Sequence, residues 1–254
     1  MGAQGTGLRP YLADLHVHTV LSPCAEVEMI PPLIVARARE LALGVIAVTD
    51  HNSAENAAAV IEAAQGLDLK VLPGMEVQTR EEVHLLCLFD TVEQALDWQE
   101  CVYAHLPPLK NREEYFGAQF VVDSTGDYVR SNDRLLLTST SLSVEEAARG
   151  VEQRKGLCIP AHVDRPSFSL LANLGFVPQD VQWSALEVSR QADVEQLQRK
   201  HPSLGGYAFV SSGDAHRLDE LSDRTVLTIA QPSVAEIGMA LRRQGGRRVK
   251  VLSR

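Results

Sequence analysis

The sequence predicts an α/β fold, either a parallel sheet or a βα barrel. Short apolar runs recur along the 254 residues, and residues 45–48 are apolar throughout, as a buried parallel strand requires. Segments with the apolar spacing of a helix lie between these runs, and such alternation is typical of parallel sheets. A hydrophobic content of 45% is enough to bury a sizeable core.

The N-terminal part of the chain alternates strands with helices. Pro31 and Pro32 open a helix that Gly44 stops. Asn52 or Ser53 is expected to cap the next helix, which is rich in alanine. We predict strands at residues 11–15, 45–48, 69–72 and 83–89, and helices at residues 31–43, 53–65 and 92–105.

An excursion at about residues 91–150 interrupts this alternation. Pro107 and Pro108 end its first helix, and residues 119–122 and 128–129 flank a turn-forming segment, which predicts a β-hairpin. The excursion exceeds the about 2–6 residues that usually connect elements of α/β units. It is expected to be either a lid or substrate-facing arm, or a surface hairpin that shields the side of the barrel.

The C-terminal part returns to short apolar runs. Residues 1–254 contain no segment with the composition of a linker, so we interpret them as a single domain. The last helix is expected to pack between two closing strands. We predict strands at residues 157–160, 185–188, 207–210, 225–229 and 248–252, and a helix at residues 234–243.

Composition limits the classes of partner. Lys and Arg number 24 against 33 Asp and Glu, which gives a formal net charge of −9. A basic face is therefore not expected, so the composition argues against long nucleic acid and leaves a small phosphorylated substrate held through metal ions. Four cysteines without a Cys-x-x-Cys pair, no secretory signal and no membrane-length apolar run indicate a cytoplasmic protein without a membrane partner. The oligomeric state is left open.

Potential metal ligands follow or begin the predicted strands. Carboxyl ends of strands share one rim in such folds, so these side chains are expected to converge there. They are too many for one ion, and two or three divalent ions that share a carboxylate, as Zn, Mn or Fe, would use them all. The set comprises His16, His18, His51, Glu76, His84, His162, Asp214 and His216.

The motifs around these ligands resemble the polymerase and histidinol phosphatase (PHP) family. The resemblance implies a distorted (β/α)7 PHP-type barrel with a hairpin-containing excursion and a centre of two or three metal ions that hydrolyses phosphoesters. The motifs occur in the family's order and are highly specific as a set. They lie at residues 14–19, 48–52, 74–76, 84–86, 161–162 and 212–216.

The resemblance also implies which residues share an ion. The first ion would take His16, His18, Glu76 and Asp214, the second Glu76, His84 and His162, and the third His51 and His216. Many members have a further Asp or His ligand where this chain has Pro23 and Cys24. Cys24 could bind the third ion as a thiolate, which favours Zn, or the third site could be weak or empty.

The expected function is a metal-dependent phosphoesterase, specifically a phosphomonoesterase that hydrolyses a small phosphorylated metabolite or nucleotide, such as a 3′-phosphorylated nucleotide, by a metal-activated hydroxide. Asp214 or His216 would handle the proton, and His51 or His162 would assist the leaving oxygen. Two arginines would bind phosphate as a fork, with surface salt bridging as the alternative for each. They are Arg165 and Arg217.

Three alternatives are weighed against this function. A histidinol-phosphate phosphatase shares the chemistry and differs in substrate. An amidohydrolase-type barrel also begins with His-x-His but usually needs a metal-bridging lysine at a strand end, which the predicted strands lack. A non-catalytic metal-binding regulatory module is less favoured, because it would not need so many ligands.

Overall fold

A curled seven-stranded sheet forms most of the wall of a distorted barrel in the computed structural model, which describes residues 7–253. The predicted fold class is confirmed. The N-terminal leader, residues 1–6, for which the lack of a signal was predicted, lies outside the described residues. None of the described helices is long and apolar enough to cross a membrane.

The strands agree closely with the predicted ones. Those at β2, β7, β8 and β10 have the predicted bounds, whereas β1 and β3 are longer than predicted. The strands are β1 (Arg9–Val17), β2 (Val45–Val48), β3 (Lys70–Gln78), β4 (His84–Leu88), β5 (Phe120–Val122), β6 (Tyr128–Ser131), β7 (Leu157–Pro160), β8 (Ala185–Val188), β9 (Ala208–Ser211), β10 (Thr225–Ile229) and β11 (Arg248–Val251).

Eight α-helices are found within the described residues. Thr91 and Gln94 cap α3 reciprocally, which explains why this helix starts where the sequence predicts. The helices are α1 (Pro31–Glu40), α2 (Ala57–Ala63), α3 (Val92–His105), α4 (Glu113–Phe116), α5 (Val144–Gln153), α6 (Leu170–Asn173), α7 (Val194–Lys200) and α8 (Val234–Leu241).

The sheet is mixed, not purely parallel. Its order is β11-β10-β1-β2-β3-β4-β7, and only the β1–β2 and β2–β3 pairs within it are parallel. The parallel pair β8–β9 completes the wall, since β8 lies against β7 and β9 against β11. The reversal of β4 matters for the site, because it brings the start of that strand to the rim where β3 ends.

Both faces of the sheet are buried, which accounts for the continuous apolar runs. On β2, Val45 and Ala47 belong to a cluster inside the barrel, whereas Ile46 and Val48 belong to the larger cluster between sheet and helices. The barrel is therefore a packed core and not a channel. Its open chemistry is confined to the rim.

The excursion between β4 and β7 contains the predicted hairpin. Strands β5 and β6 pair in antiparallel register, with Phe120 opposite Ser131. The Phe120 N–H donates to the carbonyl of Val20 at 3.0 Å, so the hairpin packs against the segment that follows β1. Its role as a lid or a shield, and the single-domain interpretation, stay predictions.

The predicted cap of α2 is wrong. The helix begins at Ala57, because both candidate cap residues use their side chains elsewhere. The Asn52 amide donates to the carbonyls of Leu136 and Thr138, and the Ser53 hydroxyl donates to Gln99. These bonds tie the segment after β2 to the excursion, so tertiary contacts override the local capping preference.

We predict that Asn56→Ala destabilises the fold. Asn56 is buried; its amide nitrogen donates to Thr19 Oγ1 (2.9 Å) and the Phe120 carbonyl (3.0 Å), and its oxygen accepts from Val122 N–H (3.0 Å). Its loss leaves buried partners unsatisfied and should lower the free energy of unfolding by about 2–4 kcal/mol. Chemical denaturation measures this. Asn173→Ala, at an exposed asparagine with one bond, is the control, and an equal effect of the two changes would contradict the prediction.

Candidate metal centre

Two short backbone pairings bring the predicted ligands together. Ala215 bridges to Val17 in parallel, which places Asp214 and His216 beside His16 and His18. His51 bridges to Glu76 in the same way. His162 and Asp214 have positive φ angles, of 29° and 47°, so their side chains leave sharp backbone bends.

Glu76 is the centre of the cluster. Its carboxylate is 1% exposed and is surrounded by imidazoles from five positions. Oε1 lies near three of them and Oε2 near the other two. The distances are 3.3 Å to His16 Nε2, 2.8 Å to His84 Nδ1 and 3.2 Å to His162 Nε2 from Oε1, and 3.5 Å to His18 Nε2 and 3.0 Å to His51 Nδ1 from Oε2.

Asp214 supplies a second carboxylate on one side of this cluster. Its Oδ1 lies 3.2 Å from Nε2 of both His16 and His18, and 3.6 Å from His216 Nδ1. Its Oδ2 lies 2.5 Å from a guanidinium nitrogen of Arg165. Asp214 therefore links the first histidine pair to an arginine at the mouth of the site.

The charges of the cluster depend on one another. Burial opposes ionisation of Glu76, yet the adjacent imidazoles, His84 foremost, hold its pKa well below the usual range. Burial likewise opposes ionisation of Asp214, but His16 keeps the pKa of this carboxyl low. Burial and the nearby His216 lower the pKa of His18. The site therefore offers two ionised carboxylates and a neutral His18, which are the forms that bind metal ions, whereas the neighbouring carboxylates outweigh burial and raise the pKa of His16, whose proton a metal ion would displace.

The donor set fits divalent cations. Glu76 Oε2 is buried and accepts no hydrogen bond, and Nε2 of His16 faces Nε2 of His18 at 3.1 Å, so a shared cation would satisfy all of these atoms. The described residues contain three groups of potential ligands, and within each group the ligand atoms lie within 4.8 Å of one another. They are His16, His18, Glu76 and Asp214; His51, Glu76 and His84; and His18, His51 and His216.

The first group contains the four residues that the resemblance assigns to the first ion. In the second group His51 takes the place expected for His162, although His162 Nε2 is also 3.2 Å from Glu76. The third group adds His18 to the expected pair. The distribution of ligands among individual ions stays a prediction.

Cys24 lies beside the third group. Burial opposes ionisation of its thiol, but hydrogen bonds from His216 and His51 lower its pKa to about 6. The thiolate in turn favours the protonated form of both imidazoles. Against the effect of burial, it raises the pKa of His216 and that of His51, the latter to about 10. The thiolate form required for metal binding is thus favoured, and its role as a ligand stays a prediction.

The two predicted phosphate-binding arginines differ in their position. Arg165 reaches Asp214 and keeps 43% of its side chain exposed, so it stands at the edge of the cluster. Arg217 is 61% exposed, and its guanidinium lies 3.6 Å from Glu26. Only Arg165 contacts a member of the cluster in the described contacts, and the phosphate-binding role of Arg217 stays a prediction.

Two carboxylates that the sequence analysis did not assign orient the first histidine pair. Glu187 Oε2 lies 3.0 Å from His16 Nδ1 and accepts the backbone N–H of His162 at 3.0 Å. Asp50 accepts from the Ser22 hydroxyl at 2.6 Å, and Ser22 Oγ lies 2.9 Å from His18 Nδ1. Each imidazole is thereby held with its Nε2 toward Glu76 and Asp214.

A third buried carboxylate, Asp14, fixes the segment that carries Asp214. It accepts the N–H groups of Gly213 at 3.0 Å and Ser222 at 2.7 Å. Its pKa is raised to about 7 by burial, which these bonds only partly offset. The signal for Asp14 and Glu187 was present in the sequence, since both are acidic residues within apolar strands and need buried partners there.

Comparison with known proteins identifies the family. The model of the PHP domain matches residues 14–176, which is more than half of the chain. The chain belongs to the PHP family. The match confirms the predicted family and, with it, the predicted class of enzyme, a metal-dependent hydrolase. The family binds several divalent ions, in agreement with the cluster.

Relatives of this PHP protein act on nucleic acids. It is 35% identical over 80 residues, 30% of this chain and 26% of the relative, to the 5′-3′ exoribonuclease Rnm of Escherichia coli K12. The lesion-specific endonuclease EndoQ of Pyrococcus furiosus superimposes with a TM-score of 0.71 at 21% identity, over 95% of this chain and 58% of that one. Endonuclease Q in complex with a 27-mer duplex gives 0.70 at 20% identity, over 94% and 58%. This chain therefore spans little more than half of the endonuclease.

The exclusion of long nucleic acid as a partner was wrong. Relatives of this fold include an endonuclease bound to duplex DNA and an exoribonuclease. The error arose because the net charge of −9 describes the whole chain and not the charge at one site. Cations held by carboxylates reverse the local field there.

We predict that Glu187→Gln weakens metal binding about 10- to 100-fold, because His16 loses the carboxylate that orients it and raises its basicity. Calorimetric titration of the metal-free protein with Mn²⁺ and Zn²⁺ measures the affinity. Glu195→Gln, at an exposed glutamate on α7, serves as the matched control. Unchanged affinity in Glu187→Gln would show that the contact to His16 is dispensable.

Proposed function

We propose that this PHP protein is a metal-dependent phosphoesterase that hydrolyses phosphodiester bonds of nucleic acid strands. The observation that carries the proposal is the Glu76 carboxylate within reach of five imidazoles, with Asp214 and the exposed Arg165 at its edge. The nucleic-acid relatives support the choice of substrate. The charge of the site supports it too, since a cation-filled cluster attracts phosphate.

The cluster would hold two or three divalent ions among Zn, Mn and Fe, all of which suit imidazole and carboxylate ligands. When bound, such ions supply Lewis acidity and hydroxide at neutral pH. Glu187 and Ser22 keep His16 and His18 oriented toward that site throughout. Arg165 would contact two phosphate oxygens as a fork, and its position beside Asp214 at the edge of the cluster supports this role.

Proton transfer is proposed for His216. Its Nδ1 donates to the Asp214 carbonyl at 2.9 Å, so a transferred proton would be carried by Nε2, beside the Cys24 thiol. At 23% side-chain exposure it is the most accessible imidazole of the cluster, so it can exchange protons with water. His51 and His162 are more deeply buried. They are therefore less suited to donate a proton to the leaving oxygen, because that oxygen must be released to solvent.

The test supplies Mn²⁺, Zn²⁺ and Fe²⁺ in turn to the metal-free protein with labelled single-stranded and duplex DNA and RNA. We expect shortened strands, and no cleavage in the presence of a chelator. A 3′-phosphorylated mononucleotide and histidinol phosphate are assayed beside them. Release of inorganic phosphate from these monoesters without strand cleavage would contradict the proposal, and metal binding without any hydrolysis would favour a regulatory module.

We predict that His16→Ala lowers kcat/KM for strand cleavage at least about 100-fold, because the ion held with Glu76 and Asp214 loses one of its ligands. Metal content by elemental analysis should fall in the same variant. His201→Ala is the control, since this histidine lies at the end of α7 and outside the cluster. Equal activity of the two variants would show that the cluster does not take part in catalysis.

We further predict that Arg165→Ala lowers kcat/KM about 10- to 100-fold, the equivalent of one charge-assisted hydrogen bond. Steady-state kinetics on the same oligonucleotide measures the loss. Arg199→Ala removes an exposed arginine from α7 as the matched control. Should Arg165→Ala match the unchanged protein, the guanidinium would have no contact with phosphate.

A further inference from the structure

One segment after β7 carries three side chains past the metal centre. His162 lies 3.2 Å from Glu76, Arg165 lies 2.5 Å from Asp214, and the ring of Phe168 stacks on that of His84. The Phe168 and His84 ring centroids are 4.8 Å apart, at an interplanar angle of 20°. The segment therefore presents a cationic and an aromatic group at the same mouth.

Phe168 is held in place at a conformational cost. Its φ of 55° lies in the left-handed region, which a bulky residue seldom adopts. Two bonds maintain the bend, since the His84 N–H donates to the Phe168 carbonyl at 3.0 Å and the Ser169 hydroxyl donates to the Arg165 carbonyl at 2.8 Å. Glycine or asparagine would adopt this backbone with less strain, so the aromatic side chain occupies the position at a conformational cost.

The ring is also left partly uncovered. Phe168 is 40% exposed, although its partner His84 is buried. An exposed aromatic ring that stacks on an imidazole of the cluster offers a flat apolar surface beside the metal centre. Nucleobases stack on such rings with little preference among sequences, because every base has a π-face.

We propose that the segment 162–168 is a nucleotide-binding element in which Phe168 stacks on the base adjacent to the phosphate that is hydrolysed. Arg165, three residues earlier, contacts the backbone phosphate. This inference rests on the proposed function, since it specifies the substrate of the same site. It predicts that the protein distinguishes phosphodiesters with a base from those without one.

The competing explanation is that Phe168 only covers His84. Two substrates separate the two roles: p-nitrophenyl thymidine 5′-phosphate, which has a base, and methyl p-nitrophenyl phosphate, which has none. With Phe168→Ala, kcat/KM should fall about 5- to 150-fold on the thymidine ester, the fold-change that corresponds to one stacked base, and stay unchanged on the methyl ester. Phe168→Trp should retain the activity on both esters.

Phe176→Ala is the matched control, because Phe176 is also an exposed phenylalanine and makes no ring contact among the residues that the structure describes. Equal loss on both esters in Phe168→Ala would assign the ring to the support of His84 and overturn the inference. No loss on either ester would overturn it as well. Metal content measured for each variant confirms that the cluster remains loaded.

Binding gives a readout that is independent of turnover. A single-stranded oligonucleotide with 2-aminopurine and hydrolysis-resistant phosphorothioate linkages should lose fluorescence on binding to the metal-loaded protein, and the loss should disappear with Phe168→Ala and return with Phe168→Trp. Quenching without hydrolysis would support the base contact while the proposed function fails. Hydrolysis of strands without quenching by the unaltered protein, or no binding at all, would overturn the base contact.

Discussion

A single buried carboxylate imposes the main constraint on this molecule. Glu76 has lost almost all contact with water, and the imidazoles around it stabilise its negative charge. Desolvating an ionised carboxylate is costly unless opposite charge replaces the water. Four strands or the loops that follow them must deliver imidazoles to that point, so the position of one side chain constrains much of the rim.

The reversed strand β4 shows how the fold meets this constraint. A parallel strand would carry His84 at its start to the opposite end of the barrel. Because β4 runs antiparallel to β3, its first residue lies opposite Gln78 and its imidazole reaches Glu76. The sheet is therefore mixed, and the first residue of β4 supplies a ligand that would lie at the other end of the barrel if the strand were parallel.

Much of this organisation could be predicted from the sequence, and the errors have physical causes. The strand at 45–48 and the helix at 92–105 have the predicted bounds because their apolar spacing and capping box are local signals. Asn52 and Ser53 were assigned to a helix cap because their bonds to the excursion are not visible locally. For Glu187, an acidic residue within an apolar strand, the sequence indicates the need for a buried partner but not which one, since His16 is 171 positions away.

The buried carboxylates around the cluster explain how a chain with a net negative charge can still favour an anionic substrate. The carboxylates of Glu187, Asp50 and Asp14 are buried and contact imidazole, hydroxyl and N–H groups of the protein, so they do not face a substrate. Arg165, by contrast, is exposed at the mouth. In the proposed function, an approaching phosphate would meet that guanidinium and the cations held by the cluster, and not the average charge of the surface. Net charge therefore constrains solubility and long-range attraction, whereas the choice of an anionic substrate is decided by the few groups that it touches.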